Sequence, residues 1–330
     1  MPSLKSIARR LSDRAFGTAF DHALARSRHE RRNAFLFYWN RGMGDVALCL
    51  VPLFARIRRE APGARIAVIT REELKEPFEL TGIDEVHVIP GLQREARIDL
   101  SRACAALGID FDAFGTVFDY PDPNRWLEGK RHEYPPTLSW NPKWDVRADR
   151  ALTVLRERIV IGAHVHSETA GYYGYVKDWP AAAWQALFAR FGEVDDVHWV
   201  ILGRTTEQPY DGANISDLRG RTDFAELMSI IKNRCRLLVA PDSGVLTMTY
   251  YLDVAFPLDV ISLWSDPRQG ILRQACRSPN PLLRHVPLYG AREDVRNLPV
   301  AVVEGAVRTS LAALRGGPRR SPPPVAFGGH

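Results

Sequence analysis

Residues 41–52, RGMGDVALCLVP, follow the apolar run AFLFYW (34–39) and lead into a helical pattern. A strand, a turn with two glycines and a helix start are therefore written into one short stretch. Gly42-Met43-Gly44-Asp45-Val46-Ala47 fits the G-x-G-x-x-A fingerprint of a dinucleotide-binding turn. Asp45 speaks against that reading. A helix N-terminus attracts anions, and a carboxylate placed there competes with a pyrophosphate. The acid expected at the end of the next strand is also absent: ARIAVIT (64–70) is followed by Arg71, which suits only a 2′-phosphate. Two other readings stand. Either Gly42 and Gly44 allow a tight turn and close approach that presents Asp45 as a base, or Asp45 caps its own helix.

Outward from this turn, strand and helix patterns alternate. NAFLFYWN (33–40), ARIAVIT (64–70), EVHVIP (85–90) and FGTVFDY (114–120) read as strands. Helical segments at 45–62, 74–82 and 97–109 separate them. After Tyr120 the pattern fails. PDPNRWLEGKRHEYPPTLSWNPKWD (121–145) is rich in Pro, Trp and basic residues, and connections this long are often binding loops. A helical stretch at 146–156 leads to a second series: strands RIVIGAHVH (158–166), VHWVILG (197–203), CRLLVAP (235–241) and DVISLWS (259–265), with helices at 179–193, 224–234 and 243–253. The pattern is an α/β chain of two Rossmann-like halves with parallel sheets, 33–150 and 151–315. Residues 1–32 form a basic helical leader, and 316–330, rich in Gly and Pro, a disordered tail. Ligands of such sheets bind beyond the carboxyl ends of the strands, so two halves imply a cleft between them.

In the second half, Lys177 follows the Gly/Tyr-rich loop HSETAGYYGYV (166–176). An ammonium there suits a phosphate or diphosphate, or it is a surface lysine at a helix start. Asp242, Ser243 and Gly244 lie between a strand and a helix. The backbone N–H groups of Ser243, Gly244 and Val245 point at an anion, or Asp242 or Ser243 simply caps the helix. His164 and His166 alternate at the end of a strand; without further ligands in a recognisable spacing they do not suggest a metal, and His166 is assigned to the donor phosphate.

The chain has 330 residues, 45% hydrophobic and 25% charged, with net charge +5. That accommodates two domains and excludes a disordered polyelectrolyte. The four cysteines form no C-x-x-C pair, which fits reduced thiols in a cytoplasmic protein and excludes a zinc knuckle. No apolar run approaches the roughly 20 residues of a membrane span. Residues 4–29 read as one amphipathic helix with Leu4, Ile7, Ala8, Leu11, Ala15 and Phe16 on one side. It lies on an anionic membrane surface or docks on its own fold. Trp126, Trp140 and Trp144, with Arg125, Lys130 and Arg131, stack sugars and pair with phosphates, or pack between domains. The ordered strand-end motifs speak against nucleic acid as a partner.

Taken in order and spacing, RGMGDVALCLVPLFARIRREAPGARIAVIT, GIDEVHVIP, FDAFGTVFDY, KDWPAAAWQAL, DLRGRTDFAELMSIIKNRCRLLVAPDSG and SLWSDP resemble glycosyltransferase family 9, from about residue 34 to about 310. That family includes the ADP-heptose:lipopolysaccharide heptosyltransferases. The resemblance implies a GT-B fold, two facing Rossmann-like domains with the acceptor on the first and the sugar nucleotide on the second. It implies inverting transfer of a heptose-like sugar from a nucleoside-diphosphate donor to a hydroxyl of a glycan such as lipopolysaccharide core, with no metal or other cofactor. Asp45 becomes the general base. Lys177 contacts the diphosphate, Asp242, Ser243 and Gly244 hold phosphate, and Glu207 contacts the nucleoside. Gly42, Gly44, Asp119, Arg125, Trp126, Lys130 and Arg131 fall on the acceptor side. The implied location is cytoplasmic, peripheral on the inner membrane. One departure is Thr247, where the family has His in D-x-G-x-x-H. Threonine only hydrogen-bonds, so a non-catalytic sugar-nucleotide binder stays open beside the transferase and the NADP-dependent oxidoreductase.

Overall fold

The computed structural model describes residues 12–13, 15–30, 32–148, 158–169 and 176–316. The chain divides into two compact units: residues 1–41 with 45–136, and residues 137–330 together with 42–44. The division falls at Pro136–Thr137, ahead of the join near residue 150 expected from the sequence. Residues 137–148 belong with the second unit for a physical reason. Leu138 bridges to Leu252, Trp144 is buried edge-on to Phe224, and Asp145 pairs with Lys232 at 2.7 Å.

The first unit holds a parallel four-stranded sheet in the order β3-β2-β1-β4: β1 Ala34–Tyr38, β2 Arg65–Arg71, β3 Glu85–Ile89 and β4 Thr116–Phe118. All four match expected strands. The central two, AFLFY and RIAVITR, are near-continuous apolar runs because helices cover both faces of a parallel sheet. Leu36, Tyr38, Ala67, Ile69, Leu100, Cys104 and Phe114 form one side of the core. The helix after β1 runs over residues 43–60 and contains a π turn, Val46–Leu50, before Val51–Glu60. The Val51 N–H bonds back five residues to the Val46 carbonyl. Pro52 explains the widening. It has no N–H, and in an unbroken α ladder its ring would strike the carbonyl four residues back.

The expected helix over 4–29 is interrupted. Gly17 takes φ +81°, and a new helix, α1 Ala19–Glu30, begins after Thr18. The Thr18 hydroxyl accepts the Asp21 N–H at 3.2 Å, and the Asp21 carboxylate accepts the Thr18 N–H at 2.6 Å, a reciprocal cap. Phe20 and Leu24 of α1 are fully buried, and Phe20 stacks on Trp126 with centroids 5.3 Å apart. This half of the leader docks on its own fold. Leu4, Ile7, Ala8 and Leu11 lie outside the described residues.

The second unit holds a parallel six-stranded sheet in the order β10-β9-β8-β5-β6-β7: β5 Ile159–His164, β6 Val197–Leu202, β7 Ile215–Asp217, β8 Cys235–Pro241, β9 Leu258–Trp264 and β10 Leu283–Tyr289. Relabelled from its first strand, this is the 3-2-1-4-5-6 order of a doubly wound dinucleotide fold, with the order reversing between β5 and β8. β7 and β10 were not expected from the sequence. Both are edge strands: β7 has three residues, and β10 carries Pro287 and is only partly buried, so neither shows the apolar run of a central strand. The helix Val300–Arg315 also went unassigned; it packs Val303, Val307 and Leu311 against Trp179, Trp184 and Trp199 in the core. The expected helix over 146–156 and the tail from 317 onward fall on residues that, apart from 146–148, lie outside the described ones.

Candidate functional site

In the second unit the groups of interest gather where the strand order reverses. β5 ends at His164 and β8 at Pro241, so the loop 165–169 and residues 242–244 leave from neighbouring strand ends. Lys177 is 9% exposed, and its ammonium lies 3.0 Å from the Asp242 carboxylate. Asp242 is itself buried. The Ser243 hydroxyl accepts the Leu246 N–H at 3.2 Å and caps the helix Gly244–Tyr250. Thr247 is 2% exposed, and its hydroxyl donates to the Ser243 carbonyl at 3.0 Å. Threonine thus ties the turn to its helix.

Three residues that the sequence reading did not single out complete the cluster. Asp178 accepts the Ser167 N–H at 2.7 Å and contacts His166 Nδ1 at 2.6 Å. Burial pushes the Asp178 carboxyl up, against the opposing pull of the Ser167 N–H, His166 and Lys177. Ser265, at the end of β9, donates to the Val176 carbonyl and accepts the Val295 N–H, fixing the backbone just before Lys177. Gly270 takes φ +49°, and a Cβ there would strike the Asp242 carboxylate and the Trp264 ring. The K-D dipeptide and the S-D-P after a strand were the available signals for the first two. His164 is buried, and desolvation holds its imidazole down at about 4, so it stays neutral. Glu207 is exposed in the loop after β6 and makes no ion pair or hydrogen bond among the described residues. Also among the described residues, no three His, Cys, Asp or Glu side chains group as a metal site.

The glycine turn resolves one of the alternatives at residue 45. The helix already begins at Met43, Asp45 has helical φ −71° and ψ −19°, and its side chain makes no capping bond. It is half-buried, with Cys49 Sγ 4.0 Å from its carboxylate. Neither Gly42 nor Gly44 has positive φ. What Gly44 provides is space. A Cβ there would lie 3.4 Å from Thr247 Oγ1 and 3.5 Å from Gly244 Cα, within the unit to which residues 42–44 belong. Arg71, the residue a 2′-phosphate would need, donates to the Arg41 carbonyl at 3.3 Å and pairs with Glu73 at 2.9 Å.

The acceptor-side residues are distributed differently. Trp126 is a core side chain, stacked on Phe20 and beside Phe118. Arg125 holds Asp13 through two bonds of 2.5 Å, Lys130 reaches Asp21 at 3.2 Å, and Arg131 bonds the Asn124 side chain at 2.6 Å. These cations mostly tie the loop after β4 to the N-terminal segment. Trp140 and Trp144 meet edge to face at 5.5 Å, and the Trp140 N–H donates to Asp145. Asp119 is exposed at the end of β4.

No family model matches the chain, and no curated protein matches it in sequence. Solved structures do match. A glycosyl transferase of family 9 from Veillonella parvula superposes with a TM-score of 0.57 at 15% identity, over 85% of this chain and 97% of that one. ADP-heptose lps heptosyltransferase II from E. coli gives 0.57 at 16% identity, over 86% of this chain and 100% of that one. The iron-containing dodecameric glycosyltransferase TibC from enterotoxigenic E. coli gives 0.50 at 11%, over 87% and 81%. At such identities the likeness is one of fold. The chain therefore has the GT-B fold, in the form found in glycosyltransferases of family 9.

Proposed function

We propose that the chain is an inverting glycosyltransferase that moves a heptose-like sugar from a nucleoside-diphosphate donor, such as ADP-heptose, to a hydroxyl of a glycan such as lipopolysaccharide core. The observation that carries the proposal is the buried Lys177–Asp242 pair at the switch point of a sheet in the dinucleotide-binding order. An ammonium carries three N–H donors and a positive charge, the equipment that phosphate oxygens need. Asp242 then acts by orienting Lys177, since two anions do not bind each other directly.

The second unit holds the donor. Lys177 and backbone N–H groups at Ser243 and Gly244 stabilise charge on the departing diphosphate. His166, oriented by Asp178, supplies a further donor where the family's histidine is replaced by Thr247. Glu207 contacts the nucleoside. The first unit holds the acceptor. Asp45, free of a capping role, takes the proton from the attacking hydroxyl. A single displacement at the anomeric carbon inverts its configuration. This assignment uses no metal and no other cofactor. The basic segment ahead of α1, with Lys5, Arg9 and Arg10, brings the protein reversibly to an anionic membrane where glycolipid acceptors reside. Among the described residues no helix is long and apolar enough to cross one.

A thermal-shift panel of sugar nucleotides tests the reading, because ligands of the native state raise the melting temperature by mass action. A nucleoside-diphosphate sugar should stabilise the wild type, and Lys177→Ala should lose that shift for both the sugar nucleotide and the free diphosphate. Equal shifts in both proteins would remove Lys177 from the site. Stabilisation by NADP(H) alone would replace the transferase with an oxidoreductase.

A further inference from the structure

We infer that the first unit carries an oxyanion-binding site at the carboxyl ends of β1 and β4, with Arg41 and Arg97 as its ligands and Tyr120 as their platform. The occupant is a phosphate or carboxylate group on the saccharide acceptor. Calling that occupant an acceptor rests on the transferase reading; the site itself does not.

Arg41 follows β1 and Tyr120 follows β4. These strands are neighbours, and the order of the first sheet reverses between them, with β2 and β3 on one side and β4 on the other. Such a point is where open α/β sheets place their ligands. The Arg41 guanidinium carbon lies 3.6 Å from the Tyr120 ring centroid, and that of Arg97 lies 4.1 Å from the same centroid. Two positive charges therefore share one ring. Arg41 also lies over Trp39, at 5.0 Å. Among the described residues no carboxylate pairs with either arginine, and Asp119, adjacent to Tyr120, forms no ion pair. By contrast Arg71, beneath the Arg41 carbonyl, has its charge matched by Glu73.

Stacking on an aromatic face uses the guanidinium plane and leaves its N–H edges free for a bidentate oxyanion. Nη2 of Arg41 is buried and has no acceptor among the described residues. A buried donor left unpaired is costly, and two like charges on one ring repel. An oxyanion offsets that repulsion. Tyr120 remains 46% exposed, so the platform is open to a ligand.

Isothermal titration of the full chain with glucose 6-phosphate, glucuronate and glucose, without donor and at low ionic strength, tests the site. At least one charged sugar should bind measurably, and glucose should not. Binding of the phosphate alone or of the carboxylate alone supports the site and identifies its chemistry. The double variant Arg41→Gln, Arg97→Gln should lose at least tenfold in affinity while keeping its response to nucleoside diphosphate. Arg97→Lys keeps the charge but not the fork; it should show a smaller loss, and it decides the matter if the double variant fails to fold. No heat with either charged sugar, equal binding of glucose, or unchanged affinity in well-folded variants would overturn the site. Oxyanion binding by a protein that ignores every sugar nucleotide would leave the site standing and remove the transferase.

Discussion

Asp45 sits in the first turn of its helix, half-buried, with Cys49 Sγ 4.0 Å from its carboxylate. A carboxylate in the first turn of a helix is ordinarily a cap. Here the helix has begun two residues earlier, and the side chain makes no capping bond. A general base contributes on the order of 10²–10⁴-fold to rate. Asp45→Asn should therefore lower kcat within that range and leave nucleotide affinity nearly intact, measured as turnover beside a nucleotide titration. Unchanged turnover would sink the assignment. Asp178 works through its neighbours. It orients His166 and holds the loop through Ser167. Asp178→Asn keeps one acceptor and the shape, so it should reduce nucleoside-diphosphate affinity severalfold with little change in melting temperature. A large fall in melting temperature with unchanged affinity would make Asp178 a structural residue only.

At the scale of elements, the turns matter more than the helices they start. The helix Gly270–Gln274 approaches Asp242 so closely that only glycine fits, and its φ of +49° disfavours any L side chain. Gly270→Ala should cost about 1–2 kcal/mol from backbone strain alone and also displace the Asp242 carboxylate from Lys177. Nucleotide affinity should therefore fall by more than the loss of stability implies; full affinity in the variant would separate this helix from the site. The N-terminal leader divides at Gly17 into two parts with different expectations. Deleting residues 1–11 removes Lys5, Arg9 and Arg10 without touching α1. Sedimentation with anionic liposomes should fall, while the melting temperature should hold. Deleting 1–32 also removes the buried Phe20 and Leu24, each worth about 1.5–3 kcal/mol. That truncation should melt several degrees lower, and an unchanged melting curve would contradict the docked position of α1.

At the scale of the whole molecule, pH response follows from the buried histidines. His164 and His285 are both held down at about 4 by burial, against an ordinary value of 6.5. A lowered folded value means that the unfolded chain binds more protons between those limits. The stabilisation is complete above about pH 6.5 and is lost as pH falls toward 4. For His164, fully enclosed, the effect amounts to roughly 3 kcal/mol at most. Urea midpoints should decline between pH 7 and pH 4.5, and His164→Asn should flatten that decline; equal slopes in the two proteins would refute it.

The same scale separates what was legible in the chain from what was not. All four strands of the first sheet, the central strands of the second and the doubling of the α/β pattern follow from local apolar runs. A strand buried on both faces must be apolar throughout, and that condition is visible residue by residue. The position of the Asp242–Gly244 turn was legible for a related reason, since it comes straight after an apolar strand, β8, where ligands of such sheets bind. β3, an edge strand too, kept the alternating pattern EVHVI; β7 escaped because it has only three residues, and β10 because Pro287 interrupts it. Partner choice was beyond the sequence altogether. Arg125, Lys130 and Arg131 look like the same kind of cation as Arg41 and Arg97, yet the first three are held by Asp13, Asp21 and Asn124, while the last two lie over the rings of Tyr120 and Trp39 with no carboxylate partner among the described residues. Composition and periodicity determine which segments must be buried, because desolvation acts on each residue locally. Which charge meets which counter-charge depends on groups far apart in the chain, and only the folded structure brings them within reach.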